Sequence, residues 1–235
     1  MQIIGIIPAR YASTRFPGKP LADIKGKSMI QRVYEQAKQC KALDEVFVAT
    51  DDQGIHEHVE LFGKVGMTET NHICGTSRCL ELANTLNLNE EDVIINIQGD
   101  EPYISPNQIK LIADSFNNSD VKIATLIKEI TNTQTINDSN TVKAVIDKNS
   151  NAMYFSRAPI PFIQKDAKPN YYKHIGIYGY RYKTLQTINS YSPTPLEQAE
   201  SLEQLRWLEN GAKIKCIITK EESISVDSPE DLDKL

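Results

Sequence analysis

Apolar positions along the chain fall into two rhythms. Unbroken runs rich in β-branched residues at 3–7, 46–49 and 93–97 predict strands buried on both faces. Between them, residues 29–40, 53–62 and 76–86 space their apolar side chains as helices do. This alternation predicts an α/β fold: a doubly wound, mostly parallel sheet with right-handed crossovers. Ligand is expected where the strands end at their carboxyl termini.

From about residue 121 the pattern changes. Longer β-rich runs at 122–128, 142–146 and 174–182 flank a polar, proline-containing stretch at 164–170, which reads as an inserted antiparallel layer. Helical periodicity returns over 196–209, where Leu196, Ala199, Leu202, Leu205 and Leu208 recur every third residue and Gly211 supplies a stop. A strand at 213–219 follows. "DSPEDL" then opens a C-terminal helix with Ser228 as N-cap and Pro229 at the first helical position. At 235 residues the expectation is one domain over 1–235, with a β-rich subdomain at about 121–195.

Composition narrows the partners. Hydrophobic residues make up 40% and charged residues 24%, as in a globular protein, and the net charge of −5 excludes the broad basic surface that nucleic acid or membrane binding requires. Any basic site must therefore be local. The four cysteines have no paired short spacing, so reduced thiols are expected rather than zinc ligands or disulfides. The N-terminus enters a strand at once, which predicts no secretory signal and a cytoplasmic protein.

The local basic site stands out at residues 8–20, "PARYASTRFPGKP", where Arg10, Arg15 and Lys19 surround Gly18 with no acid among them. Placed at the end of the first strand, these cations suit a phosphate chain: arginine offers a forked pair of donors and lysine a point charge. The segment has neither the dinucleotide fingerprint nor the Gly-Lys-Ser/Thr ending of a P-loop. The exit turn of the 93–97 strand, "QGDEP", places Asp100 at the same rim, where an acid beside a polyphosphate calls for a cation such as magnesium. Gln98 can donate and accept toward a base edge or a sugar hydroxyl. "GTSR" at 75–78 opens a helix whose free N–H groups and Arg78 suit a nucleotide. Cys74 reads as a buried thiol.

At these residues the chain resembles a family. "IPARYASTRFPGKPL", "ATDD", "NIQGDEP", "YFSRAPIP", "HIGIYGYR", "LEQLRWLENG" and "VDSPEDL" occur in the order found in the 3-deoxy-manno-octulosonate (Kdo) cytidylyltransferases, and they span essentially the whole chain. The resemblance implies a nucleotide-diphosphosugar-transferase-like fold and the reaction CTP + Kdo → CMP-Kdo + pyrophosphate, serving lipopolysaccharide biosynthesis. It assigns Arg10, Arg15, Lys19, Arg78 and Gln98 to CTP, and Asp100 and Asp227 to Mg2+. Arg10, Lys19, Asp100 and Asp227 thereby become the catalytic set. Without the resemblance, Asp227 is an ordinary cap-region aspartate.

The same resemblance places Arg157, His174, Glu203 and Gln204 around the sugar, with Tyr178 as a lesser member, and Gln98 joins them through its amide. Read singly, Arg157 suits a surface ion pair, His174 and Tyr178 suit strand positions, and Glu203 suits a solvated helix face. A homodimer through the β-rich middle is likewise implied. The related enzymes usually carry an acid where Ser77 stands, which lowers the negative charge of that turn here. The competing readings are activation of sialic acid or an amino-substituted octulosonate on the same scaffold, and an inactive sugar-nucleotide-binding protein.

Overall fold

The computed structural model describes residues 1–12, 16–222 and 224–234. Its strands are β1 (Ile3–Ala9), β2 (Asp23–Ile24), β3 (Lys27–Ser28), β4 (Glu45–Thr50), β5 (Lys64–Met67), β6 (Val93–Asn96), β7 (Ile123–Ile130), β8 (Lys143–Ile146), β9 (Ala152–Ser156), β10 (Tyr171–Arg181) and β11 (Lys215–Ile218). The α-helices are α1 (Met29–Gln39), α2 (Gln53–Glu60), α3 (Gly75–Asn84), α4 (Pro106–Ser115), α5 (Thr133–Asn137), α6 (Tyr182–Asn189), α7 (Pro195–Glu200) and α8 (Glu203–Glu209).

The main sheet runs in the order β11-β7-β10-β6-β1-β4-β5, with the β8–β9 hairpin added beside β10. Strands β6, β1, β4 and β5 are mutually parallel, while β10 is antiparallel to both β6 and β7. The sheet is thus α/β and doubly wound, parallel where the first half of the chain builds it and mixed beyond. The stretch read as an inserted layer contributes β7 to β10, and β7 and β10 lie within this same sheet.

Alternation along the strands sorts side chains to two faces. Ile7 of β1 and Val93 and Ile95 of β6 join α1, α2 and α4 in one core. Ile4 and Ile6 of β1 and Ile94 of β6 face the other way, onto α3, α6 and α8. Because both faces are covered, the polar ends of the central strands are the places left open to ligand.

Two expected elements differ. The single helix expected over 196–209 is two: α7 ends at Ser201, whose φ of 52° is left-handed, and α8 starts at Glu203. A left-handed residue redirects the chain, so Leu205 and Trp207 of α8 enter the core whereas α7 buries none of its residues. Arg206 and Glu197 pair across this break, with Arg206 Nε donating to Glu197 Oε2 at 2.8 Å. The C-terminal helix opened by Ser228 and Pro229 is a 3-10 turn over Pro229–Lys234.

Candidate active site

Three chain segments meet at the carboxyl ends of β1 and β6. The first is the cationic turn. Gly18, at φ 69°, returns the chain so that its N–H donates to Tyr11 O at 3.0 Å, and Lys19 follows at the start of a short 3-10 turn. A Cβ on Gly18 would be strained by that backbone and would press on the Tyr11 ring at 3.3 Å. Arg15 lies outside the described residues.

The second segment is the exit turn of β6. Gly99 approaches β1 so closely that a Cβ there would stand 2.8 Å from Pro8 O. Its neighbour Asp100 accepts a hydrogen bond from Lys19 Nζ at 2.8 Å. Gln98 Nε2 donates to Gly176 O at 2.8 Å, which ties the turn to β10.

The third segment arrives from the C-terminal end. Val226 N donates to Asp100 O at 2.9 Å, and Val226 O accepts from Lys19 Nζ at 2.9 Å. Asp231 Oδ2 accepts from the N–H groups of Asp227 and Ser228, both at 2.9 Å. Upstream, Glu222 pairs with Lys128 of β7 and, at 2.6 Å, with Lys173 of β10, anchoring the approach. Asp227 therefore reaches the site through backbone contacts that no local spacing announces.

Together these segments form a cavity of about 260 Å³ lined by Arg10, Lys19, Arg78, Gln98, Asp100 and Asp227. Asp100 and Asp227 fit magnesium: both are hard oxygen donors, and the ion takes one or two carboxylates and completes its shell with water and phosphate oxygens. Among the described residues no cluster of three His, Cys, Asp or Glu side chains is grouped as a metal cage.

Arg78 is committed inward. Its Nη2 donates to Asp51 Oδ2 at 2.8 Å, and its Nη1 donates to Thr68 Oγ1 at 2.5 Å and to Glu69 O at 3.4 Å. It bolts α3 to β4 and borders the cavity at the same time. "ATDD" contains Asp51, yet nothing in the sequence pairs that acid with Arg78. His72, also at the cavity wall, contacts Ser77 Oγ through Nδ1 at 3.0 Å and Glu81 through Nε2. Ser77 Oγ in turn donates to Cys74 O at 3.0 Å. No spacing signal singled out His72 or Glu81.

A second cavity, of about 320 Å³, adjoins the first; Ile73 and Cys74 line both, and Glu203 and Arg206 line the second. Cys74 is thus partly buried at the junction rather than fully buried, and all four cysteines are free thiols. Glu203 accepts from Thr76 Oγ1 at 2.8 Å and from Cys74 Sγ at 3.2 Å. Burial raises its pKa, and those two hydrogen bonds pull it back.

The other residues assigned to the sugar line neither cavity. His174 Nε2 lies 3.0 Å from Thr125 Oγ1, with the Phe155 and Tyr178 rings 5.1 and 5.2 Å away, and burial lowers its pKa to about 4. Tyr178 stacks on Tyr180 and meets Trp207 edge-on. Arg157 is held by Glu200: its N–H donates to Oε2 at 2.9 Å and its Nε to the Glu200 carbonyl at 2.8 Å, while Nη1 donates to Ser139 O at 3.1 Å. Gln204 Nε2 and Asn96 Oδ1 are buried with no protein partner among the described residues, a costly state unless ligand or water reaches them.

A doubly wound sheet whose strand ends gather cations, two carboxylates and a glycine-lined turn defines a nucleotidyltransferase. The comparisons sharpen that class. A cytidylyltransferase family profile matches residues 4–214. The 3-deoxy-manno-octulosonate cytidylyltransferase of Parabacteroides distasonis is 51% identical, over 100% of this chain and 96% of its own. The 8-amino-3,8-dideoxy-manno-octulosonate cytidylyltransferase of Shewanella sp. (strain W3-18-1) is 47% identical, over 100% and 97%. A solved CMP:2-keto-3-deoxy-manno-octonic acid synthetase complexed with CTP superposes with a TM-score of 0.94 at 40% identity, covering 100% of this chain and 96% of that one. The chain belongs to the cytidylyltransferase family, among its 3-deoxy-manno-octulosonate cytidylyltransferases.

Proposed function

We propose that this enzyme transfers CMP from CTP to the anomeric 2-hydroxyl of Kdo, releasing pyrophosphate. The observation that carries the reading is the meeting of Lys19 with Asp100 and of Val226, next to Asp227, with both of them, at the strand ends where Arg10 also projects. Full-length similarity to enzymes of that name supports the choice of sugar acid.

In this reading Arg10, Arg15 and Lys19 bind the triphosphate and meet the charge that grows on the leaving pyrophosphate. Such transfer depends on positioning and on neutralising charge spread over phosphoryl oxygens. Asp100 and Asp227 would hold Mg2+, which when bound lowers the pKa of an attacking hydroxyl and neutralises phosphate charge. Gln98 and the α3 turn with Arg78 border the nucleotide. Glu203 and Gln204, with Arg157, His174 and Tyr178 behind them, form the sugar side. No general base is assigned. The enzyme works in the cytoplasm as a homodimer, and no helix among the described residues is long and apolar enough to cross a membrane.

The test is pyrophosphate release that requires CTP, Kdo and magnesium together. Chelation should abolish turnover and added Mg2+ restore it; binding without turnover would sink the reading. The similarity to the Shewanella enzyme favours a second reading, in which the acceptor is the 8-amino sugar. A substrate panel at fixed CTP separates the two by kcat/KM.

A further inference from the structure

The first turn of α3 is gripped from the sugar side. Thr76, 3% exposed, and the N-cap residue Cys74 each donate to one oxygen of Glu203, 127 and 129 residues away. Both carboxylate oxygens are engaged, so the orientation of Glu203 is set by the turn that borders the nucleotide. That turn is itself braced: Arg78 is tied to Asp51 and Thr68, and Ser77 Oγ closes on Cys74 O. Glu203 opens α8 and lines the second cavity. The two cavities adjoin where Cys74 sits.

We propose that Thr76 is a positioning residue for the sugar acid. Its hydroxyl fixes the Glu203 carboxylate at the angle from which it meets the acceptor, so the α3 turn that borders CTP also sets the geometry of the second substrate. The inference deepens the proposed function and rests on Glu203 facing the sugar. A hydrogen bond to a charged, largely buried acceptor is the strong kind, and its donor defines direction as well as energy.

Thr76→Val keeps the shape of the side chain and removes the donor. In the full-length enzyme it should raise KM for the sugar acid about tenfold, while KM for CTP stays within about twofold and Thr76→Ser restores the sugar KM. A role limited to packing would instead raise both KM values together, with no rescue by serine. An unchanged sugar KM, or a matched rise in both, overturns the proposal. If Thr76→Val does not fold, Cys74→Ala removes the weaker donor and should raise the sugar KM alone by about two- to threefold; no change there overturns the proposal as well. Failure of the wild-type enzyme to release pyrophosphate would count against the proposed function instead. In that case the carboxyl carbon of Glu203, followed by 13C NMR, still decides: its titration should move upward in Thr76→Val, and an unmoved titration overturns the positioning role.

Discussion

Lys19 Nζ bridges Asp100 Oδ2 at 2.8 Å and Val226 O at 2.9 Å, so one ammonium joins segments 81 and 207 residues away. The side chains of the ion pair are 16% and 27% exposed, so the pair is partly buried but still reached by solvent. A partly buried pair of this kind contributes modestly to stability, on the order of 1 kcal/mol. In the proposed reaction the Lys19 charge lies where phosphate charge grows. Lys19→Ala is expected to lower kcat by roughly 10²–10³-fold, more than it raises KM for CTP, with little change in Tm. Steady-state pyrophosphate release and a thermal melt check both halves, and an unchanged kcat contradicts the role.

Arg78 and Asp51 form the opposite kind of pair. Their side chains are 4% and 14% exposed, and Thr68 completes the arginine's contacts. Removing one partner leaves the other charge buried and unmatched, at a cost of about 3–5 kcal/mol. Arg78→Ala should lower the urea midpoint by a corresponding amount. Arg78→Lys should recover only part of it, because a single ammonium cannot reach Asp51, Thr68 and Glu69 O together.

His174 makes stability depend on pH. Burial holds its folded pKa at about 4, below the usual 6.5, so the unfolded chain binds the extra proton first. The contribution is fully present above pH 6.5 and is lost as pH falls toward 4. Between pH 7 and pH 5 the protein should lose about 2 kcal/mol from this residue alone. Urea titrations at the two pH values, repeated with His174→Gln, read the effect as the part of the slope that the variant abolishes.

Gly99 tests the contact between the two central exit turns. A methyl group there meets the Pro8 carbonyl oxygen at 2.8 Å, and backbone cannot yield as a flexible side chain does. Gly99→Ala should cost about 1–3 kcal/mol of stability and displace Asp100 from Lys19. The measurement is a paired melt and kcat/KM, and a variant with both values at the wild-type level would show that the turn has slack.

The core half of the fold was legible in the sequence. β1, β4 and β6 lie where unbroken β-branched runs predict them, since a strand covered on both faces needs apolar residues at every position. α1 likewise starts at its Ser28 cap, whose hydroxyl accepts from Gln31 N. The split between α7 and α8 was not legible, because a spacing of three persists through Ser201 and only its left-handed φ breaks the helix. β9, at Ala152–Ser156, and α4, at Pro106–Ser115, were not foreseen either.

For the site, local chemistry by itself determined that the chain ends its first strand in a cationic turn and its β6 strand in an acid. Strand pairing puts such turns side by side whenever β1 and β6 are neighbours. Only the tertiary structure decided that Arg78 spends its donors on Asp51 and Thr68, that Thr76 donates to Glu203, and that Arg157 is held by Glu200. Each of these is a long-range pairing of polar groups. Sequence states which groups need partners, but burial and the path of the backbone choose among the many that could serve.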